Sequence, residues 1–249
     1  MASVPVGQRW YVIGDVHGCC DLLKALADAI ERDDAKRAEA DTTVVLLGDL
    51  IDRGPDSAGA VQFAREWGQT RKVRHLAGNH EEMFLESFSQ VDVLRHFLRH
   101  GGKETIHSYG IKGDQYNAMT MPELQTAMQQ AVPASDRDFL AGAEVLIEAG
   151  DYLFVHAGID PDRPHTDQKR SDLLWIRERF LRHPHAFSHV VVHGHTIVDE
   201  VEDTGTRIGI DTGAYRTGRL TALILEGSGR RTIQAVESNG SITIVTNGD

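Results

Sequence analysis

The sequence predicts an α/β fold on three observations. Short Val-, Ile- and Leu-rich runs alternate with helical segments, the first third runs strand–helix–strand–helix–strand, and glycine with a polar residue follows each early run. The runs at 10–13, 44–47, 73–76, 153–155 and 190–192 are short, as expected of buried strands. Segments 21–30 and 57–67 carry apolar residues at helical spacing, with Leu22, Leu23, Leu26 and Ile30 on one face. That order implies a mainly parallel sheet covered by helices. From 207 onward the pattern changes to short runs at 207–210, 220–225, 232–236 and 242–245. Gly-containing turns separate them, which predicts antiparallel strands. Between these regions, 82–143 breaks the rhythm. Met83, Phe84, Phe88, Val91, Leu94, Phe97 and Leu98 recur at helical spacing, and further helices are expected at 122–130 and 135–140. With no Pro/Gly/Ser linker around it, this stretch reads as a helical cap inserted into one domain spanning 1–249.

Composition narrows the function classes. At 249 residues, 41% apolar and 25% charged, the chain has the make-up of a folded domain rather than a disordered or fibrous one. No apolar run approaches the ~20 residues of a membrane span, and no secretory leader is expected before residue 10. Cys19 and Cys20 are adjacent and give no disulfide framework, which fits a reducing, cytoplasmic setting. Lys and Arg number 26 against 37 Asp and Glu, a net charge of −11, so nucleic acid is not an expected partner. Thirteen histidines stand out, but composition alone does not separate surface scatter from metal or proton chemistry.

The segments after the strands carry the chemistry. Gly14-Asp15-Val16-His17-Gly18 follows the first and Gly48-Asp49-Leu50-Ile51-Asp52-Arg53-Gly54 the second. Gly78-Asn79-His80-Glu81, His156-Ala157-Gly158 and His193-Gly194-His195-Thr196 follow the next three. Ligands of open α/β sheets bind beyond the carboxyl ends of the strands, so these motifs should converge on one site. Singly, each motif reads equally well as a turn, a helix cap or a core histidine; five in succession point to a metal site. Asp15 and His17 lie two apart and can aim at one ion, while the carboxylate of Asp49 can bridge two. Asn79 offers an amide oxygen, and His156 and His195 offer imidazole nitrogen. A mixed O/N set without thiolate suits Mn²⁺, Fe²⁺ or Zn²⁺. Two such ions would activate a bridging water and clamp the oxygens of a phosphoryl displacement. Asp52 beside His80 makes an acid dyad in which His80 protonates a leaving oxygen; the alternative is that both merely support the ligands. Arg53 suits a phosphate clamp, with an ion pair as its commoner fate. Arg95, His96, Arg99, His100 and Lys103 read as a solvated helix face rather than an anion site.

Together these motifs resemble the ordered signature of the metallophosphoesterases, and within them the phosphoprotein phosphatase family of serine/threonine phosphatases. The likeness runs from Asp15 to about Gly213 and is nearest to the small bacterial and phage-type members. Those carry segments similar to Trp175-Ile176-Arg177-Glu178-Arg179 and to Asp211-Thr212-Gly213-Ala214. The resemblance implies a four-layer α/β/β/α sandwich with two metal ions. By motif position Asp15, His17 and Asp49 would hold one ion, and Asp49, Asn79, His156 and His195 the other. Asp52 and His80 would form the acid dyad. Arg53, Arg177, Asn79 and His80 would meet the substrate phosphate. Without the resemblance, Arg177 reads equally as part of a solvated Arg-Glu-Arg cluster on a helix. His193 has no counterpart as a ligand.

There are departures. Eukaryotic members usually have His-Gly-Gly where this chain has His156-Ala157-Gly158, and they carry a cleft tyrosine in a longer C-terminal segment that has no visible counterpart here. The symmetrical diadenosine tetraphosphate hydrolases share the first motif, but typically lack the aspartate at Asp52 and have GNHD in place of GNHE. The expected activity is therefore a metal-dependent phosphomonoesterase for phosphoserine and phosphothreonine in proteins, with phosphotyrosine as a secondary candidate. The rivals are a dinucleoside polyphosphate or other nucleotide hydrolase, with Tyr109 and Tyr116 as stacking candidates, and a catalytically dead phosphopeptide-binding module.

Overall fold

The computed structural model of the chain describes residues 1–248. The chain opens with β1 (Gln8–Ile13), α1 (Cys20–Asp34), β2 (Asp41–Leu46), α2 (Ser57–Thr70) and β3 (Val73–His75). Helices follow without a strand: α3 (Asn79–Ser87), α4 (Val91–Phe97), α5 (Lys103–Ser108), α6 (Gly113–Ala118), α7 (Met121–Ala131) and α8 (Ala134–Ala141). Next come β4 (Leu146–Ala149), β5 (Tyr152–Val155), α9 (Arg170–Trp175), α10 (Glu178–Leu181) and β6 (Val190–His193). The short β7 (Glu202–Asp203), β8 (Arg207–Gly209) and α11 (Ala214–Thr217) precede an antiparallel ladder of β9 (Arg219–Glu226), β10 (Gly229–Ser238) and β11 (Ser241–Asn247).

The strands form two mixed sheets, β11-β10-β9-β1-β2-β3 and β4-β5-β6-β8-β7. In each, the site-bearing strands are parallel neighbours: β1 with β2 and β2 with β3 in the first, β5 with β6 in the second. Alternation of side chains along the strands then dictates the layering. Trp10, Val12, Val45, Leu47 and Leu223 of the first sheet meet Ile147, Tyr152, Phe154, Val192 and Ile208 of the second in one core. On the other face of the first sheet, Tyr11, Ile13, Val44, Leu46 and Ile224 pack under Leu23, Leu26 and Ile30 of α1 and Val61 and Ala64 of α2. Leu153, Val155 and Val191 turn outward beneath Leu173, Leu174 and Phe180. The result is the four-layer α/β/β/α sandwich. Phe84, Leu94, Phe97, Ile106, Leu124, Met128 and Leu140 share the core of α1 and α2, so the inserted helices continue that outer layer.

Boundaries differ from the sequence reading where apolar patterning is weak. β4 was not expected because Glu148 interrupts it, and β7 is two acidic residues whose pairing with β8 has no apolar signature. The expected strand to 76 ends at His75, with Leu76 bridging Glu144 alone. α1 runs on to Asp34, where polar contacts take over from packing. Asp33 accepts from Tyr11 Oη (2.7 Å) and Arg37 Nε (2.9 Å) and pairs with Arg231 (3.3 Å). Among the described residues, no helix is long and apolar enough to cross a membrane.

Candidate active site

Turns at the carboxyl ends of β1, β2, β3, β5 and β6 bring the polar residues into one cluster spanning both sheets. The turns are tight enough to force side-chain-bearing residues into the left-handed region, where the Cβ crowds the backbone. His17 (φ 46°), Asp49 (48°), Asp52 (74°), Arg53 (67°) and His195 (61°) all adopt it. Glycine is required where carboxylates lie against backbone. A Cβ on Gly78 would sit 2.0 Å from Asp49 Oδ1, and one on Gly194 2.0 Å from Asp15 Oδ1.

The donor set is arranged to bind cations. His17 Nδ1 donates to the Ile51 carbonyl (2.8 Å) and His156 Nδ1 to that of Leu47 (2.9 Å), so each Nε2 faces the cluster. Asp49 Oδ2 lies 3.6 Å from His17 Nε2, 3.4 Å from His156 Nε2 and 3.9 Å from His80 Nε2. His156 Nε2 is also 3.0 Å from Asn79 Oδ1. A proton or a metal ion must lie among atoms so placed. Burial works against charging His156, but Asp49 outweighs it and raises the imidazole to about 10, which is the protonated form of the same demand. Burial holds His17 at about 3 and His195 at about 2, so both are neutral and competent as ligands. Asp15 Oδ2 accepts from the His195 amide (3.0 Å), while Asp15 Oδ1 and His195 Nε2 are buried without a hydrogen-bond partner among the described residues. Burial, then Asp211 and Asp49, pushes Asp15 well above the carboxylate range, as uncompensated negative charge should. His17, Asp49 and His80 form one group of ligand atoms within 4.8 Å of one another, and Asp49, His156 and His195 a second. Asp49 is common to both, which is the arrangement of a two-ion site for divalent metals.

Beside this cluster, His80 Nδ1 donates to Asp52 Oδ2 at 2.5 Å, and Thr105 Oγ1 donates to Asp52 Oδ1 at 2.5 Å. Burial pushes the Asp52 carboxyl up to about 6. Burial opposes a charged His80, but Asp49 and Asp52 outweigh it and raise its pKa. The two terminal nitrogens of Arg53 reach His17 Nε2 and His80 Nε2, each at 3.0 Å. The Arg53 amide donates to the Gly101 carbonyl (3.0 Å), so the turn after α4 holds Arg53 in place. Arg177 lies at a break between α9 and α10 rather than within a helix. There it donates to the His195 carbonyl and to Thr196 Oγ1, both at 3.3 Å. Arg179 points elsewhere, to Asp160 and Asp162. His193 belongs to neither ligand group; its ring packs on Phe180.

Three residues had gone unassigned. Glu81 is buried and accepts from the amides of Asp49 (2.8 Å), Leu50 (2.8 Å) and Gly78 (2.9 Å), bracing two of the loops. Its place in the Gly78–Glu81 motif was the available signal. Asp211 is buried and acts electrostatically on Asp15. Tyr215, from α11, packs against two residues of the cluster. Its ring is 5.2 Å from that of His17, and the Arg53 guanidinium stacks over it at 4.9 Å.

Comparison with known proteins gives the family. The family model of calcineurin-like phosphoesterases matches residues 9–217, a span that contains every residue of the cluster. Serine/threonine-protein phosphatase 1 of Salmonella typhimurium is 30% identical over 217 residues, 85% of this chain and 89% of that protein. An asymmetrical bis(5'-nucleosyl)-tetraphosphatase of Anoxybacillus flavithermus is 25% identical over 230 residues, 85% of this chain and 88% of that protein. A solved structure named provisionally as a diadenosine tetraphosphatase shares the fold, with a TM-score of 0.62 at 20% identity over 99% of this chain and 98% of that one. On the match and on the buried O/N cluster that it spans, the chain belongs to the calcineurin-like phosphoesterase family.

Proposed function

We propose that the chain is a dinuclear-metal-dependent phosphomonoesterase of the cytoplasm that acts on phosphoserine and phosphothreonine in proteins, with phosphotyrosine as a further substrate. Asp15, His17 and Asp49 would hold one ion and Asp49, Asn79, His156 and His195 the other, with Mn²⁺ preferred over Fe²⁺ or Zn²⁺. Divalent ions held there would supply activation of a water and neutralisation of phosphate charge. The chain's own groups do the rest. Arg53 exchanges its contacts with His17 and His80 for non-bridging phosphate oxygens, and Arg177, anchored at the His195 carbonyl and Thr196 Oγ1, meets another. Asn79 and His80 complete the contacts to phosphate.

The observation that carries this reading is the 2.5 Å Asp52–His80 pair beside the metal ligands. An alkoxide leaving group, as from serine or threonine, needs a proton at the moment of departure. A phosphate or nucleotide leaving group is already a weak base and gains little from one. A fully buried acid dyad therefore favours the monoester of an alcohol. The tetraphosphatase among the relatives keeps a second reading in view, hydrolysis of a dinucleoside polyphosphate. Comparing kcat/KM for phosphoserine and phosphothreonine peptides and for diadenosine tetraphosphate, with Mn²⁺, separates the two. A preference for the peptides is expected, and a preference for the dinucleotide would overturn the substrate class.

A further inference from the structure

On the outer side of the second sheet, Glu148 of β4, His165 at the start of the turn His165–Asp167 and His189 just before β6 bring a carboxylate and two imidazoles together. Their ligand atoms all lie within 4.8 Å of one another. Glu148 Oε2 is 3.4 Å from His165 Nε2, Glu148 Oε1 is 3.7 Å from His189 Nε2, and the two rings meet edge to face at 4.6 Å. We propose that this is a third metal site, separate from the dinuclear cluster, for a single transition ion of the Zn²⁺ class.

The chemistry of the donors supports that class. Two imidazoles and one carboxylate are the three-ligand set of an open zinc site, and they fit Mg²⁺ or Ca²⁺ poorly. Among the described residues, Glu148 forms its ion pairs with these imidazoles and with no Lys or Arg. Both histidines are held in place. Ser188 Oγ lies 2.9 Å from His189 Nδ1 and can take its proton, leaving Nε2 bare on the side of Glu148. The turn bearing His165 is braced by Gln168, whose Nε2 donates to the carbonyls of Asp160 (3.1 Å), Arg163 (3.0 Å) and Pro164 (3.2 Å). The Gln168 Oε1 accepts from the Asp160 amide at 2.7 Å. Side-chain exposures of 52% for Glu148, 23% for His165 and 14% for His189 give the ion an entry path and leave room for a water ligand.

The site has a mechanical meaning. β4 is an edge strand, and both histidines lie in the stretch between His156 and His195 that also carries Arg177. A bound ion would staple that stretch to the sheet edge in two places. It touches none of the groups assigned to catalysis, so its occupancy should change stability more than turnover.

The test uses the full chain saturated with Mn²⁺, then exposed to Zn²⁺, comparing wild type with His165→Ala, His189→Ala and Glu148→Gln. Elemental analysis after gel filtration is expected to find about one Zn²⁺ per chain fewer in each variant. The Zn²⁺-dependent rise in Tm, about 5 °C at a hundredfold excess over Kd, should be lost with it. Mn²⁺-supported activity should be equal in all four proteins. Equal Zn²⁺ uptake and equal Tm shifts in wild type and variants would overturn the site. Should a histidine variant fail to fold, Glu148→Gln, which keeps its shape, decides by the same two measurements. Neither measurement depends on which phosphoester the enzyme prefers.

Discussion

His80 works between a carboxylate on one nitrogen and the metal-ligand cluster on the other. If it protonates the leaving oxygen, His80→Asn should cut kcat by about 10²–10⁴ on serine and threonine phosphates and far less on aryl phosphates, whose leaving groups need no proton. Parallel steady-state kinetics on both classes make the check, and equal losses would remove His80 from the acid role. At this scale the sequence was legible where a residue's role is local. Asp15, His17, Asp49, Asn79, His80, His156 and His195 each stand within a few residues of a strand end and a glycine. The structure groups the ligand atoms of His17, Asp49, His80, His156 and His195, sets Asn79 against His156, and leaves Asp15 outside both groups, bonded to the His195 amide. Asp211 and Tyr215 were not legible, because each acts on a residue from another loop; Glu81 stood in a visible motif, but its reach to the Asp49 and Leu50 amides was not. Nothing near Tyr215 in sequence announces that Arg53 and His17 lie against its ring.

At the scale of elements, the turn after α4 is a positioning device. Gly101 has φ 102° and its carbonyl accepts from the Arg53 amide; a Cβ there would lie 2.6 Å from Arg53 Cγ. Gly101→Ala should lower kcat/KM by about tenfold to a hundredfold through misplacement of Arg53. Metal content should be unchanged, and elemental analysis beside the kinetics separates this from a damaged metal site. The carboxyl end of α1 makes a different prediction. Burial opposes ionisation of Asp33, but bonds from Arg37, Tyr11 and Arg231 outweigh it and hold its pKa below the ordinary 3.8. The unfolded chain therefore binds the proton first as pH falls. The stability that Asp33 contributes is complete above 3.8 and is lost as pH falls through the folded value. In urea titrations the gap between wild type and Asp33→Asn should be constant from neutrality to about pH 5 and narrow only as the pH is taken below that. A gap independent of pH would mean that the charge of Asp33 does not matter. Elements were read well where apolar periodicity is strong, as in α1 and β2. They were missed at β4 and β7, whose pairing partners, not their own residues, make them strands.

For the molecule as a whole, the cluster joins two sheets. The first supplies Asp15, His17, Asp49, Asn79 and His80, and the second His156 and His195. Loss of metal from this seam would leave Asp15 buried with its negative charge uncompensated and Asp49 dependent on a protonated His156. Dialysis against a chelator should therefore lower Tm by several degrees, and restored Mn²⁺ should recover it. An unchanged Tm in calorimetry would argue that no ion bridges the sheets. The left-handed turns that build the seam have a further consequence. Holding His17, Asp49, Asp52, Arg53 and His195 in that region costs about 1–2 kcal/mol each relative to residues without a Cβ. Glycine there would relieve that strain, but at position 52 it would leave His80 Nδ1 and Thr105 Oγ1 buried without their acceptor, a cost of about 1–3 kcal/mol. A descendant that had abandoned its chemistry could therefore shed the strain only by replacing these residues together with their partners, and the replacements would come in linked sets.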